Sequence, residues 1–193
     1  MPLKYKKEPR DVTNVVKSQF DKIRSGKGFR TPLLASIQFR KDTANLDQEH
    51  AVPVYHLGVE DLKGRKDVSA AKLVSWRYLI KHRGKEVASA DAIIDDDGTT
   101  MFSHVNEGPL VRGLVSALEI ANSQSIIRNN DFEARILMVP ALYVAALWLA
   151  DIEEGKDYAV PFEPSPDPLR PNRLVPMDRF MNILYRLART HRG

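Results

Sequence analysis

Three runs between residues 73 and 105 leave this chain little choice of architecture. In LVSWRYLIKH, Val74, Trp76, Tyr78 and Ile80 alternate with Ser75, Arg77, Leu79 and Lys81. Period two with aromatic and β-branched side chains is the pattern of a half-buried strand. RGKE can turn the chain. VASADAII then alternates Ala88, Ala90, Ala92 and Ile94 against Val87, Ser89, Asp91 and Ile93. A face of small residues can lie beside the large face of its neighbour, because large and small side chains interdigitate. DDDG turns the chain again, Asp97-Gly98 being a strong hairpin signal. TTMFSHV supplies a third strand.

The flanking segments read as follows. DVTNVVKSQFDKIRS places Val12, Val15, Val16, Phe20 and Ile23 on one helical face, with Asp11 as N-cap and Gly26 as the stop. GKGFRTP reads as a loop, Leu33 to Phe39 as a short strand, VYHLGV as a strand and EDLKGRKD as a charged connection. PLVRGLVSALEIAN is a helix with a stripe of Leu110, Leu114, Leu118 and Ala121, and Pro109 suits its first turn after Asn106 or Gly108. Gly113 inside it costs about 1 kcal/mol against alanine, which a close approach to the sheet would explain. DFEARILMV reads as a strand.

PALYVAALWLA stays open between a helix, favoured by its alanines, and a hairpin strand, favoured by the DIEEGKD turn and YAVPF beyond it. Residues 161 to 176 hold six prolines, which excludes helix and interior strand. The simplest account is a rigid tether for the last segment. MDRFMNILYRLART then aligns Met177, Phe180, Met181, Leu184 and Leu187 on one helical face, with Asp178 and Arg189 suiting the helix dipole.

Composition narrows the chemistry. The chain has no cysteine, so disulfides, thiolate metal sites and cysteine nucleophiles are excluded. The longest apolar stretch, residues 136 to 150, contains a proline and falls short of the roughly 20 residues that cross a bilayer. No signal peptide is visible. These features point to a cytoplasmic protein with no membrane contact. Charge is uneven. Residues 1–30 carry nine Lys/Arg against three Asp/Glu, residues 169–193 six against one, and the middle fourteen against twenty-one. The basic ends either rest on the acidic body or form a patch for an anionic partner; solvated faces are the commoner case.

AIIDDDGTTMFSHVNEGP gathers the densest group of chemically able side chains. Adjacent aspartates point to alternate sides of an extended chain, so the spacing is wrong for a calcium loop. The turn reading is preferred. Asp95, His104 and Glu107 remain, with Asp91 on the preceding strand. His104 is placed on one face with Phe102, and Glu107 near a helix start is explained by the dipole. Asp91 belongs either on a solvated face or buried with a partner such as Arg77; the solvated face is preferred, since acids are rarely buried unpaired. Asp91, His104 and Glu107 are the candidates for a hydrolase-type site.

His50 and His56 are six apart, which matches no ligand pair, and there is no H-E-x-x-H. No metal or cofactor is expected. RSGKGFRT departs from a phosphate loop because Gly28 follows Lys27. Trp76, Tyr78, Phe102, Tyr143 and Trp148 could stack bases, but aromatic side chains at strand spacing are usually core. The P-x-x-P spacing around Arg170 is a weak ligand signal for proline-reading domains.

ARILMVPALYVAALWLAD followed by VPFEPSPDPLRPNRLVP resembles a segment of bacterial proteins without an assigned activity, which share a PALYV-ALWL run and a proline-rich C-terminal segment. The resemblance implies a bacterial origin and no function.

The expectation is one α+β domain over residues 1–193. It comprises a basic helical segment (1–30), a core (31–160), a proline-rich tether (161–175) and a C-terminal helix (176–190). A mainly antiparallel sheet of strands 73–82, 87–94, 99–105 and 132–139 would pack against a central helix at 109–122, with amphipathic helices near both termini. The expected function is a non-enzymatic binding or interaction module that self-associates or docks a protein partner. The runner-up is nucleic-acid binding. There Lys4, Lys6, Lys7, Arg10, Lys22, Arg24, Lys27 and Arg30 would meet Arg186, Arg189 and Arg192. A small hydrolase using Asp91, His104 and Glu107 is the third reading.

Overall fold

A computed structural model describes residues 3–24, 44–46, 51–82, 84–95, 97–153 and 155–191. The expected strand at 33–39, the 26–32 loop, His50, Lys27, Arg30 and Arg192 lie outside the described residues. So do the side chains of Arg10 and Arg24.

The fold is α+β around one mostly antiparallel sheet. Its strands are β1 (Ala44–Leu46), β2 (Val52–His56), β3 (Lys72–His82), β4 (Lys85–Ile94), β5 (Thr100–Glu107), β6 (Phe132–Val139), β7 (Val144–Asp151), β8 (Tyr158–Phe162) and β9 (Val175–Pro176). The spatial order is β5-β4-β3-β2-β6-β7-β8-β9, with β1 pairing β3 beyond the end of β2. Two antiparallel meanders meet at the parallel β2–β6 junction. The helices are α1 (Arg10–Arg24), α2 (Val59–Lys63), α3 (Pro109–Ser123), α4 (Ser125–Asn129) and α5 (Met177–Thr190).

The alternation in β3 and β4 sets their register. Trp76 lies opposite Ala92, Tyr78 opposite Ala90 and Ile80 opposite Ala88. These six residues are buried with Val12, Val16 and Phe20 of α1. α1 is tied down by polar contacts too: Thr13 Oγ1 lies 3.3 Å from Tyr78 Oη, and Thr100 Oγ1 donates to Asp11 Oδ2 at 2.7 Å. On the opposite sheet face Leu114, Ala117, Leu118 and Ala121 of α3 are buried with Val54, Leu79, Ile136, Leu147 and Val160. α5 shares the α1 side, where Phe180, Met181, Leu184 and Ala188 pack on Leu137, Ala146, Trp148 and Ala159.

The structure resolves the open segment. Pro140–Leu142 is one 3-10 turn, Tyr143 takes a left-handed conformation (φ 53°), and Val144–Asp151 is strand β7. Burial decides this against helix propensity. Ala145, Leu147 and Leu149 face α3, while Ala146, Trp148 and Ala150 face α5. A strand covered on both faces loses the alternation that marks a strand in sequence. The charged connection after β2 contains the short helix α2, whose Leu62 is buried.

The proline-rich stretch begins and ends in strand. Pro161 and Phe162 close β8 beyond the reach of β9, which pairs only with Tyr158 and Ala159. Edge positions tolerate proline because no ladder N–H is required there. Between the strands the segment is anchored rather than free. Leu169 is buried, Asn172 N donates to the Pro161 carbonyl at 2.8 Å, and Ser165 Oγ to that of Phe162 at 2.6 Å. Gly113 explains itself here: a Cβ on it would sit 2.9 Å from the Glu163 carbonyl oxygen and 3.0 Å from Phe162 Cδ2.

Candidate functional site

The residues singled out in sequence fall into two groups. The first surrounds Asp91, whose solvated-face reading the structure overturns. Asp91 and Arg77 are both 3% exposed. They face each other across β4 and β3, and Arg77 donates Nε to Oδ1 at 2.8 Å and Nη2 to Oδ2 at 2.6 Å. The burial follows from α3, which roofs this side of the sheet. Asn106 Nδ2 reaches Asp91 Oδ2 at 3.5 Å, and His104 Nε2 stands 3.8 Å from the same oxygen. Arg77 Nη1 and Ser89 Oγ, both buried, find no hydrogen-bond partner among the described residues. Burial, and then the Arg77 charge, hold the His56 imidazole below its ordinary pKa.

A β-bulge places His104. Between Asp91 and Ala92 the register with β5 slips by one residue, so Asp91 pairs with His104 and Ala92 with Phe102. Phe102 therefore packs with the α1 cluster, while His104 lies beside Asp91 on the other face. They do not share a face as alternation alone predicts, because the bulge inserts Ser103 between them. Ser103 Oγ lies 2.6 Å from His104 Nδ1. Glu107 is opposite Ala88, three residues past His104, and strand alternation sends it to the other face. Asp95 closes the β4–β5 turn, where its Oδ1 accepts from Asp97 N at 3.1 Å and Thr99 N at 2.7 Å. Gly98 supplies the positive φ of 78° that the turn demands. Asp91 and His104 are thus adjacent, with Asp91's oxygens engaged by Arg77, while Asp95 and Glu107 lie elsewhere. Among the described residues no group of three or more His, Asp or Glu could hold a metal ion, and no helix is long and apolar enough to cross a membrane.

The second group is basic. Lys4 pairs with Asp131 at 2.5 Å, so this part of the basic N-terminal segment rests on an acid of the body. Lys22 lies on α1, beside β4 and β5, whereas Arg186 and Arg189 lie on α5, beside β8 and β9. β4 and β8 are five strand spacings apart, about 24 Å at the usual inter-strand distance, so Lys22 on α1 does not share a patch with Arg186 and Arg189 on α5.

α5 instead shares a groove with the proline-rich segment. The groove has a volume of about 820 Å³. Arg179 and Arg186 line it from α5, and Arg170 and Arg173 from the wall formed by the proline-rich segment; Leu174, Val175 and Ile183 add apolar lining. Asp178 is its one acid, leaving three net positive charges from four arginines. None of the four arginines enters an ion pair among the described residues; the pairs formed there lie elsewhere. Arg189 is one turn beyond Arg186 on the exposed side of α5.

As an anion contact the sequence reading picked out Arg186 alone of these groove arginines; Arg170 was noted only within its P-x-x-P spacing, and Arg173 and Arg179 were not assigned to an anion. A signal for them was present: from residue 157 onward every basic side chain other than histidine is an arginine and none is a lysine. Arginine's planar fork suits bidentate contact with carboxylate or phosphate, which lysine does not offer.

The aromatic candidates are mostly core. Trp76 and Tyr78 are buried, and Trp148 is held by its Nε1 donating to Asp157 at 2.6 Å and by Arg135 stacked 4.6 Å from its ring centroid. Tyr143 stands out at 80% exposed. Comparison with family models, curated proteins and solved structures finds no match.

Proposed function

We propose that the protein is a non-enzymatic binding module that holds an anionic partner in the groove between α5 and the proline-rich segment. In this reading the sheet, packed on α3 and flanked by amphipathic helices near both termini, is the scaffold. The groove carries the proposal. Arginines without an internal counter-ion, on two walls, repel one another unless an anion joins them. Both walls are anchored to the body: α5 by its buried stripe, and the opposite wall by buried Leu169 and the Asn172–Pro161 bond. A preformed groove saves the ordering cost of binding. The Asp91 cluster reads as support for the sheet, because Arg77 engages both carboxylate oxygens.

The test is a titration of the full chain with labelled polyglutamate and with heparin at low and high salt. Binding at low salt that weakens as salt rises, and that Arg170→Gln with Arg173→Gln reduces, is the expected result. No binding at low salt, or binding indifferent to these substitutions, overturns it.

A further inference from the structure

The groove's shape and lining select among anions. Arg179 and Arg186 are seven residues apart on α5, so their stems are about 10.5 Å apart along the helix axis. A ligand with two anionic groups at about that separation gives each arginine its own bidentate partner. Its middle must lie against Leu174, Val175 and Ile183, which are apolar. The groove lining contains no aromatic ring on which a base could stack. Of the aromatic side chains of α5, Phe180 is fully buried, and Tyr185 is stacked under Arg65 at 5.1 Å and bonded through Oη to the Lys66 carbonyl at 3.1 Å. A strand of nucleic acid would gain phosphate contacts here and leave its bases unsupported.

We infer that the occupant is an acidic, amphipathic segment of a partner protein. This rests on the anion-groove reading above. The segment's carboxylates pair with the groove arginines while its apolar side chains cover Leu174, Val175 and Ile183. In a segment of polyproline II form, which has three residues per turn, acids three residues apart share one face and are separated by about 9 Å, close to the spacing of Arg179 and Arg186. Arg170 and Arg173 on the other wall take carboxylates on the far edge. The binding therefore has two separable parts, one set by charge and one by apolar contact.

The experiment uses the full chain and fluorescence anisotropy. The probe is a labelled peptide of about twelve residues, long enough to span the groove when extended. It carries glutamate at every third position and leucine or valine between. A second peptide replaces the leucines and valines by serine, and a single-stranded oligonucleotide and heparin are run beside them. The first peptide should bind, and serine replacement should weaken it about tenfold or more, the scale of burying two or three apolar side chains. Arg179→Gln with Arg186→Gln, at exposed positions, should weaken it by a similar factor while leaving the unfolding midpoint unchanged. If the serine peptide binds as tightly, or the oligonucleotide binds more tightly through the same arginines, this inference is overturned and the anion groove stands. If no anion binds, or the arginine substitutions change nothing, both fall.

Discussion

Arg77 and Asp91 form a doubly hydrogen-bonded ion pair across two neighbouring strands, with both side chains out of solvent. Such a pair contributes little net stability when intact, because desolvation offsets attraction. Breaking it is another matter. Asp91→Ala leaves a buried guanidinium without its counter-charge and should destabilise the fold by about 3–5 kcal/mol. The double substitution Arg77→Met with Asp91→Leu removes both charges and should recover most of that loss. Urea denaturation of the three proteins measures both effects. A single variant as stable as the parent would mean that solvent reaches Arg77.

That pair also shows where sequence reading stops. The strand pattern set Asp91 on one face with Val87, Ser89 and Ile93, and the choice between solvent and burial depended on whether a helix covers that face. α3 does, and nothing within residues 73–94 records it. The large-on-small match of Trp76, Tyr78 and Ile80 with Ala92, Ala90 and Ala88 was legible, because both halves of the contact lie in adjacent runs. The bulge at Ser103 was not, since a slip of one residue leaves composition unchanged. β7 was ambiguous because its alanines suit both a helix and a strand squeezed between two helices. The groove arginines were visible as residues. Their convergence depends on Leu169 and Asn172 fastening the proline segment beside α5.

Gly113 tests the contact between α3 and the end of β8. Alanine is the better helix former by about 1 kcal/mol, so in an open site Gly113→Ala would stabilise. Here the new methyl meets the Glu163 backbone at 2.9 Å and 3.1 Å and the Phe162 ring at 3.0 Å. Backbone gives way less readily than a flexible side chain. The expected outcome is a net loss of about 1–3 kcal/mol, the usual cost of overpacking. Thermal unfolding measures it, and a raised midpoint would show that the segment after β8 yields freely.

Tyr78 predicts a pH dependence. Burial, partly offset by the Thr13 hydroxyl, pushes its phenol up to about 12 from an ordinary 10.0. The folded state therefore keeps a proton that the unfolded state loses between those values. This contribution is full below pH 10 and is lost as pH rises toward 12. Its size is about 2–3 kcal/mol for a shift of that order. Lysines titrate in the same range, so the informative measurement is the difference between the parent and Tyr78→Phe. Below pH 10 the variant should be less stable by about 1 kcal/mol, the worth of the lost hydroxyl contact. Above it the gap should close and reverse. A constant gap to pH 12 would mean the phenol ionises as freely in the fold as outside it.

The C-terminal helix gives the last prediction. Leu184 is fully buried at the centre of the α5 stripe, among Phe180, Met181 and Ala188 and against the α1-side face of the sheet. The stripe is thus satisfied within its own chain, at the end of a proline-rich stretch that itself begins and ends in strand. Leu184→Asp puts an unpaired carboxylate into that contact and should cost roughly 2–4 kcal/mol. Arg189→Gln, on the exposed side of the same helix, should stay within about 0.5 kcal/mol of the parent. The groove adds a second readout. Arg179 and Arg186 ride on α5, so loosening the helix moves one wall and should weaken anion binding even under conditions where the protein stays folded. Denaturation midpoints and anisotropy titrations on the same samples separate the two effects. An unchanged midpoint for Leu184→Asp would mean that α5 leaves the sheet in solution and presents its stripe to another surface.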